Sequence, residues 1–543
     1  MQGIRESKAA SGALALLLTL AGMFLSEGGA LLAQSAAKQV AVPLPPMGWS
    51  SWNSFSNTID SQIVMDQAKA MVSTGMAKDG YKYINIDEGW WLGARDAEGN
   101  IVVDGKAWPA IAPGEKPGDM ANIVRYIHGL GLKAGIYTDA GKDGCGTVAP
   151  DLGPGYPNEG SENHYEQDFL QFANWGFDYV KVDWCGGDKE NLDPAVQYAE
   201  IARAIARAEQ ITGHRLYFSI CNWGKNSPWT WAPGVGGVTA DIWRTGGDIV
   251  APIVANTKNS DRRAELKEVF REFDEANHPE AQHTGFYNDP DMMVVGMPGL
   301  TDQQNRVHMA LWAMSGGPLL VGADLTKLSD ASLAALTNPA VLAIDQDALG
   351  LQAVKVAEVG KGLEVWSKAL SKSGQRAVLL LNRTAEAAPI SVTRADLTLL
   401  DSSASNVTNL WSGKHLGPLV ASYPVPVPAN DALLLLVQGK EAKVSTYKPA
   451  AGGPGRKVAF TYVSATHSMA RVQIIYANLD KTTRFAELRV NGCIATRIAL
   501  PPTGTTVGTV TIQSLLDRSG ASNVLEFSPT GDPGPVIQSI SIQ

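Results

Sequence analysis

At 543 residues the chain is too long for one hydrophobic core, so two or three domains are expected. Hydrophobic residues make up 45% and charged residues 18%, an ordinary balance for a soluble globular protein. The net charge of −9 gives no support to binding of nucleic acid or an anionic membrane, either of which needs a basic face.

Arg5 and Lys8 precede an apolar run from about Ala13 to Leu25, and small residues follow around Ala30 to Ala37. This order reads as a secretory signal peptide over residues 1–33, with an uncleaved N-terminal anchor as the competing reading. No other stretch is long and apolar enough to span a membrane, so an exported protein, secreted or periplasmic and free of the membrane after processing, is expected.

From Val42 to Leu349 short strands alternate with amphipathic helical stretches. The strands are expected at Met47–Trp52, Tyr83–Asp87, Lys133–Tyr137, Tyr179–Asp183, Leu216–Cys221, Ile242–Arg244, Thr284–Asn288 and Pro318–Gly322. Helices are expected between them, for example at Ser61–Ser73 and Gly118–Leu130. Eight such units predict an α/β fold, a (β/α)₈ TIM barrel. A doubly wound open sheet competes, but no GxGxxG follows the first strand. After Gly350 the helices stop. Runs such as Leu363–Ser367, Ala377–Leu381 and Ala432–Val437 predict an antiparallel β-domain over 350–439. A linker rich in Pro, Gly and Lys is expected at 440–456. A β-sandwich, jelly-roll-like and open to a carbohydrate-binding role, is expected at 457–543.

The stretch Phe177–Cys185, FDYVKVDWC, sets Lys181 and Asp183 into an otherwise buried strand. Buried charges need a partner or a task, and the carboxyl ends of barrel strands carry the chemistry. Polar and aromatic residues recur at that end of successive strands. Trp52 and Asn53 follow the first, Asp87, Glu88, Trp90 and Trp91 the second, and Tyr137 and Asp139 the third. Asn222 and Trp223 follow the fifth, Arg244 and Asp248 the sixth, and Asn288, Asp289 and Asp291 the seventh. Carboxylates with aromatics suit sugar chemistry, because indole faces stack on pyranose C–H bonds while charged groups bind the hydroxyls. Twelve of the fourteen tryptophans precede Leu320, so the aromatic supply follows the barrel. Glycoside hydrolysis needs one ionised carboxylate and one carboxylic acid. Lys181 is expected to depress the pKa of Asp183, the nucleophile, and the charge of Asp183 to raise that of Asp248, the acid. The histidines form no HxH or HExxH, and the four cysteines fit no zinc spacing, so neither metal nor cofactor is expected. In an oxidising compartment Cys145 and Cys185 could bridge adjacent loops.

The segments PPMGWSSWNSF, NIDEGWW, GLKAGIYTDAG, DYVKVDWCGG, SICNWG, WRTGGDI and NDPDMMVVG span Pro45 to Gly296 in one order. Together they resemble the clan-D α-galactosidases of glycoside hydrolase family 27, and ALWAMSGGPLLVGADL and IDQDALG extend the resemblance to Gly350. The resemblance implies a retaining exo-glycosidase that releases terminal α-D-galactose from oligosaccharides or polysaccharide side chains. It makes Asp183 the nucleophile and Asp248 the acid/base. It puts Trp52, Asp87, Glu88, Tyr137, Lys181, Cys221, Trp223, Arg244, Asp291 and Met292 at substrate-binding positions, and Cys145 and Cys185 in a disulfide that shapes the pocket. Two departures stand out: Glu88 where many relatives have Asp, and CNWG at Cys221–Gly224 where many have CEWG. A glutamate crowding C6 would favour β-L-arabinopyranose, which lacks the hydroxymethyl group, so a β-L-arabinopyranosidase is the alternative. A sugar-binding protein without turnover is the alternative from another class.

Overall fold

The structure, a computed structural model, describes residues 38–148, 157–234, 240–250, 263–400, 405–419, 422–452, 455–493, 496–517, 523–531 and 534–543. The expected signal peptide lies outside the described residues. Eight strands form one parallel sheet: β1 (Met47–Ser50), β2 (Tyr83–Asn85), β3 (Lys133–Asp139), β4 (Tyr179–Asp183), β5 (Tyr217–Cys221), β6 (Ile242–Arg244), β7 (Tyr287–Asp289) and β8 (Leu319–Val321). β8 pairs with β1 in parallel, and a parallel bridge between Met293 and Val321 joins the seventh unit to β8. This is the expected TIM barrel.

Side-chain alternation explains its two layers. Val180, Val182, Phe218 and Ile220 join the apolar cluster shared with the surrounding helices. Tyr179 and Tyr217 instead face the barrel interior, with rings stacked 5.7 Å apart, and plug its floor. The helices are capped by their sequence. The Asp60 carboxylate accepts from Ile63 N at the start of Ser61–Ser73. Asp193 and Pro194 open Pro194–Thr212, which ends on the left-handed Gly213.

The next unit has a six-stranded antiparallel sheet, in the order 354–360, 363–369, 375–382, 431–438, 405–409 and 415–419, and a two-stranded sheet of 388–393 with 422–427. One face packs into the barrel's apolar cluster through Trp366, Leu379, Leu381 and Leu434, and the other builds its own core around Val378, Leu380 and Leu435. The C-terminal unit is two five-stranded sheets around Phe460, Ile474, Leu525 and Ile540. Two of its strands, Thr496–Leu500 and Val536–Ile542, were not expected from the sequence.

The stretch 440–456, expected as a linker, differs. Ser445–Tyr447 pairs with Val536–Ile542, and Ala451–Gly452 pairs with Val458–Val463. Its Pro, Gly and Lys content reads as loop, but its backbone donors and acceptors complete the edges of both C-terminal sheets. The short strand Lys38–Gln39 runs parallel to Gly508–Thr509 in the same unit.

Candidate active site

Period-two alternation along β4 turns Tyr179, Lys181 and Asp183 into the barrel, where the register aligns Lys181 with Tyr137 and Ser219. Lys181 Nζ lies 3.0 Å from Asp87 Oδ2 and 3.5 Å from Asp183 Oδ2. It also sits 5.2 Å from the centroid of the Tyr137 ring. The Asp87 carboxylate is fixed further by Glu88 N at 2.9 Å and Ser50 Oγ at 3.4 Å. Asp183 Oδ1 accepts from Trp184 N at 3.0 Å, so its other oxygen is the one turned to Lys181.

Burial pushes the Asp183 carboxyl above its ordinary range; Lys181 opposes the rise, and Asp248 and Asp87 add to it. The sequence reading had the opposite sign. It weighed the neighbouring ammonium but not the loss of water around a carboxyl that is 5% exposed. Lys181 stands well above its usual value, because Asp87 and Asp183 outweigh a burial that would lower it.

On the far side, buried Arg244 lies 3.0 Å from Asp291 Oδ1, and its Nη1 donates to Cys221 Sγ at 3.6 Å. Its Nη2 donates to Gly246 O at 3.2 Å, to Gly247 O, and to Asp248 Oδ1 at 3.4 Å. The Asp248 side chain is 45% exposed at the mouth. Asp291 has φ +83° and accepts from Met292 N at 2.7 Å and Ile249 N at 2.8 Å, so it holds both Arg244 and the residue after Asp248. Its carboxyl is pushed up to about 6, by burial first, against the pull of Arg244. Burial also raises the Cys221 thiol, which is neutral.

A recess in the barrel interior, with Tyr179 at its floor, is lined by Asp87, Lys181, Cys221, Arg244, Asp291 and Met292 together with Ser50, Asn85, Ser219 and Asp289, while Asp183 and Asp248 lie outside its lining. Trp52, 8% exposed, belongs to the same interior cluster as Met292. The Tyr137 hydroxyl points to Cys145 Sγ at 3.6 Å. Trp223 stands at φ +53° with Lys225 Nζ 5.4 Å from its ring centroid. The neighbouring Asn222 is turned into its own loop, donating to Lys225 O at 2.7 Å.

The Cys145–Cys185 disulfide is formed and joins the loops after β3 and β4. Tight backbone packing explains the glycines beside it, since a Cβ on Gly186 would stand 2.3 Å from Asp143 O. The grouping of Asp139, Asp183, Cys145 and Cys185 resembles a metal set in composition, but both sulfurs are spent in the disulfide. Glu88 reaches toward this loop, where its Oε1 accepts from Gly146 N at 2.7 Å and its buried Oε2 has no hydrogen-bond partner among the described residues. Burial, then the charge of Glu159, pushes the Glu88 carboxyl well up.

Sequence reasoning missed Glu159 and Glu272. Glu272, raised to about 9 mainly by burial, lies behind the WRTGG turn, where a Cβ on Gly246 would meet its Oε2 at 2.6 Å. A charged residue on the buried side of helix Leu266–Glu275 was the available signal.

Residues 44–347 match the family described as "Alpha galactosidase A". Residues 360–437 match its "C-terminal beta sandwich domain", and 457–541 match "Alpha-galactosidase, CBM13 domain". The chain is 38% identical over 418 residues to Alpha-galactosidase A of Cellvibrio japonicus, covering 72% of this chain and 91% of that one. It is 36% identical to the Alpha-galactosidase of Oryza sativa subsp. japonica, covering 68% and 78%. The crystal structure of alpha-galactosidase I from Mortierella vinacea superposes with a TM-score of 0.62 at 27% identity, covering 74% of this chain and 98% of that one. With the barrel, the sandwich that follows it and the motif-bearing strand ends in one molecule, the chain belongs to the alpha-galactosidase family, glycoside hydrolase family 27, and is a glycoside hydrolase.

Proposed function

We propose that the protein is an exported, retaining exo-α-galactosidase acting on terminal α-D-galactose by double displacement. The observation that carries the reading is the arrangement at the end of β4. Trp184 N fixes one Asp183 oxygen while Lys181 faces the other, and the exposed Asp248, 3.4 Å from Arg244, is near enough for its charge to act on Asp183. In the first step an Asp183 oxygen attacks the anomeric carbon as Asp248 gives its proton to the departing glycosidic oxygen. In the second, Asp248 takes a proton from water, and that water displaces Asp183 with net retention. Such a pair works at a carboxyl separation of about 5–5.5 Å. Asp87 and Lys181 would hold sugar hydroxyls, and Trp52 and Met292 would form the apolar wall. Asp291 is assigned a positioning role, because its oxygens are taken by Arg244, Ile249 N and Met292 N. We also assign residues 42–349 to the catalytic domain and 350–439 to the β-domain, and set the start of the C-terminal unit near Ser445. Export is supported by the N-terminal sequence and the disulfide. No helix among the described residues is long and apolar enough to cross a membrane.

The extra methylene of Glu88 is taken up by its reach to Gly146 N, which favours an α-galactosidase over an arabinopyranosidase. The test is hydrolysis of p-nitrophenyl α-D-galactopyranoside beside the β-L-arabinopyranoside. The galactoside should be preferred, with the α-anomer of galactose formed first. In Glu88→Asp, kcat/KM on the galactoside should fall about 2- to 10-fold, the worth of one hydrogen bond. A preference for the arabinopyranoside, with Glu88→Asp raising galactoside turnover, would establish crowding at C6. No turnover of either by folded protein would leave a sugar-binding protein.

A further inference from the structure

The Asp248 side chain is aimed by its backbone. Its carboxylate makes one hydrogen bond among the described residues, the long contact from Arg244 Nη2 at 3.4 Å. The backbone around it is held harder. Asp291 Oδ2 accepts from Ile249 N at 2.8 Å, and Arg271 Nη2 donates to Asp248 O at 2.9 Å. Those two backbone atoms belong to one peptide unit. A trans peptide is planar, with its oxygen and its N–H on opposite edges. Gripping both fixes the rotation of that plane about Asp248, and with it the direction in which the side chain leaves the turn.

Arg271 comes from helix Leu266–Glu275 and is itself held in place. Its Nε donates to Glu268 Oε2 at 2.7 Å and its Nη1 to Glu275 Oε2 at 2.8 Å, three residues before it and four after on the same helix. Its Nη2 also stands 2.7 Å from Glu272 Oε1, without the geometry of a hydrogen bond. Glu272, raised to about 9, is uncharged at neutral pH, so Glu268 and Glu275 supply the counter-charge. The turn that carries Asp248 lies directly on this group. A Cβ on Gly246 would stand 2.0 Å from Glu275 Oε2, so only glycine lets the chain come so close. A planar guanidinium can serve two carboxylates and a carbonyl at once; a lysine ammonium on its flexible stem holds such an arrangement poorly.

We propose that Arg271 is a positioning residue for the proton donor. By fixing the Asp248–Ile249 peptide it turns the Asp248 carboxyl toward the departing glycosidic oxygen. Asp291 holds the nitrogen edge of that peptide and Arg271 the oxygen edge, so the two act as a pair from opposite sides of the turn. The inference rests on the reading of Asp248 as the acid/base.

The test compares two leaving groups on the full-length protein. Dinitrophenolate departs without a proton, whereas phenolate needs one, so only the second reports the acid. The quantity measured is kcat/KM, which reads the first step, on 2,4-dinitrophenyl and phenyl α-D-galactopyranosides. Their ratio on one preparation does not depend on how much of it is folded. Asp248→Ala should lose about 10²-fold or more on the phenyl glycoside and little on the other. Arg271→Gln should lose about 10- to 100-fold on the phenyl glycoside, the cost of a misplaced catalytic group, and about 3-fold or less on the dinitrophenyl one. Arg271→Lys keeps the charge without the fork and should recover only part of that loss; it decides the matter if Arg271→Gln fails to fold. Equal losses on both substrates in the Arg271 variants, or no loss, beside the expected imbalance in Asp248→Ala, would overturn the proposal and leave a surface ion pair. Equal losses in Asp248→Ala itself would overturn the acid assignment, and this inference with it.

Discussion

Asp183 is held where its charge is disfavoured, and two consequences follow. Asp183→Asn should lower kcat by about 10³-fold or more, because no glycosyl-enzyme forms. It should also raise the melting temperature at neutral pH by roughly 2–4 °C per kcal/mol relieved. The native carboxyl holds its proton more tightly than the unfolded chain does. Stability therefore falls as pH rises through the window from the unfolded value, about 3.9, up to the raised native one. The variant escapes that loss, so its advantage should appear above the window and vanish below it in paired thermal melts. Lys181 still has Asp87, 3.0 Å away in the native protein, as its counter-charge. Asp291 gives a second test. With its carboxyl near 6, acidification through that value removes the charge that holds Arg244 and weakens acceptance from Ile249 N. Activity, as kcat/KM, should fall with it. Asp291→Asn should flatten that limb while costing roughly 10- to 150-fold at the plateau, the worth of a hydrogen bond to a charge. A limb near 6 that persists in the variant would assign it to another group.

The loops after β3 and β4 are held by a disulfide that closes a sequence separation of 40 residues. Replacing both cysteines by serine should cost about 3–4 kcal/mol on the chain-entropy account. Since the same loop presents Gly146 N to Glu88, KM for the galactoside should rise more than kcat falls; unchanged KM would show that other contacts hold the loop. Elements like these were unevenly readable. β4 and β6 have the bounds expected from the sequence, because apolar alternation and flanking glycines mark both ends. Helix Ser61–Ser73 also matches, since Asp60 caps it. The seventh strand was expected from Thr284 but starts at Tyr287. Thr284 at φ +51° and Gly285 at φ +101° form a turn bridged between His283 and Phe286, and β-forming residues conceal it. In the site, Asp87, Lys181 and Asp183 were legible because strand ends announce themselves. The Asp291 contact with Ile249 N and the Glu159 carboxyl near Glu88 were not, since each joins loops far apart in the chain. The pKa of Asp183 was misjudged for the same reason, burial being a property of the whole fold.

Across the molecule, Glu441 fastens the middle unit to the C-terminal one. Burial alone would raise its pKa, but the Arg376 bond and the Arg471 charge hold it down to about 2. Glu441→Gln leaves Arg376, 2% exposed, without its counter-charge and should cost about 3–5 kcal/mol at neutral pH. This contribution is present above the ordinary glutamate range and is lost as pH falls toward 2, so variant and parent melts should converge in acid. A constant gap would place the loss in packing. The strand Lys38–Gln39 ties the molecule together in another way. Val40 N donates to Thr509 O at 2.9 Å, and Thr509 Oγ1 meets Gln39 Oε1 across a sequence separation of 470. A ribosome delivers the chain in order, so this strand is made long before its partner exists. The barrel can close while synthesis continues, but that sheet edge cannot. Among the first described residues to be made, it is among the last to find its place.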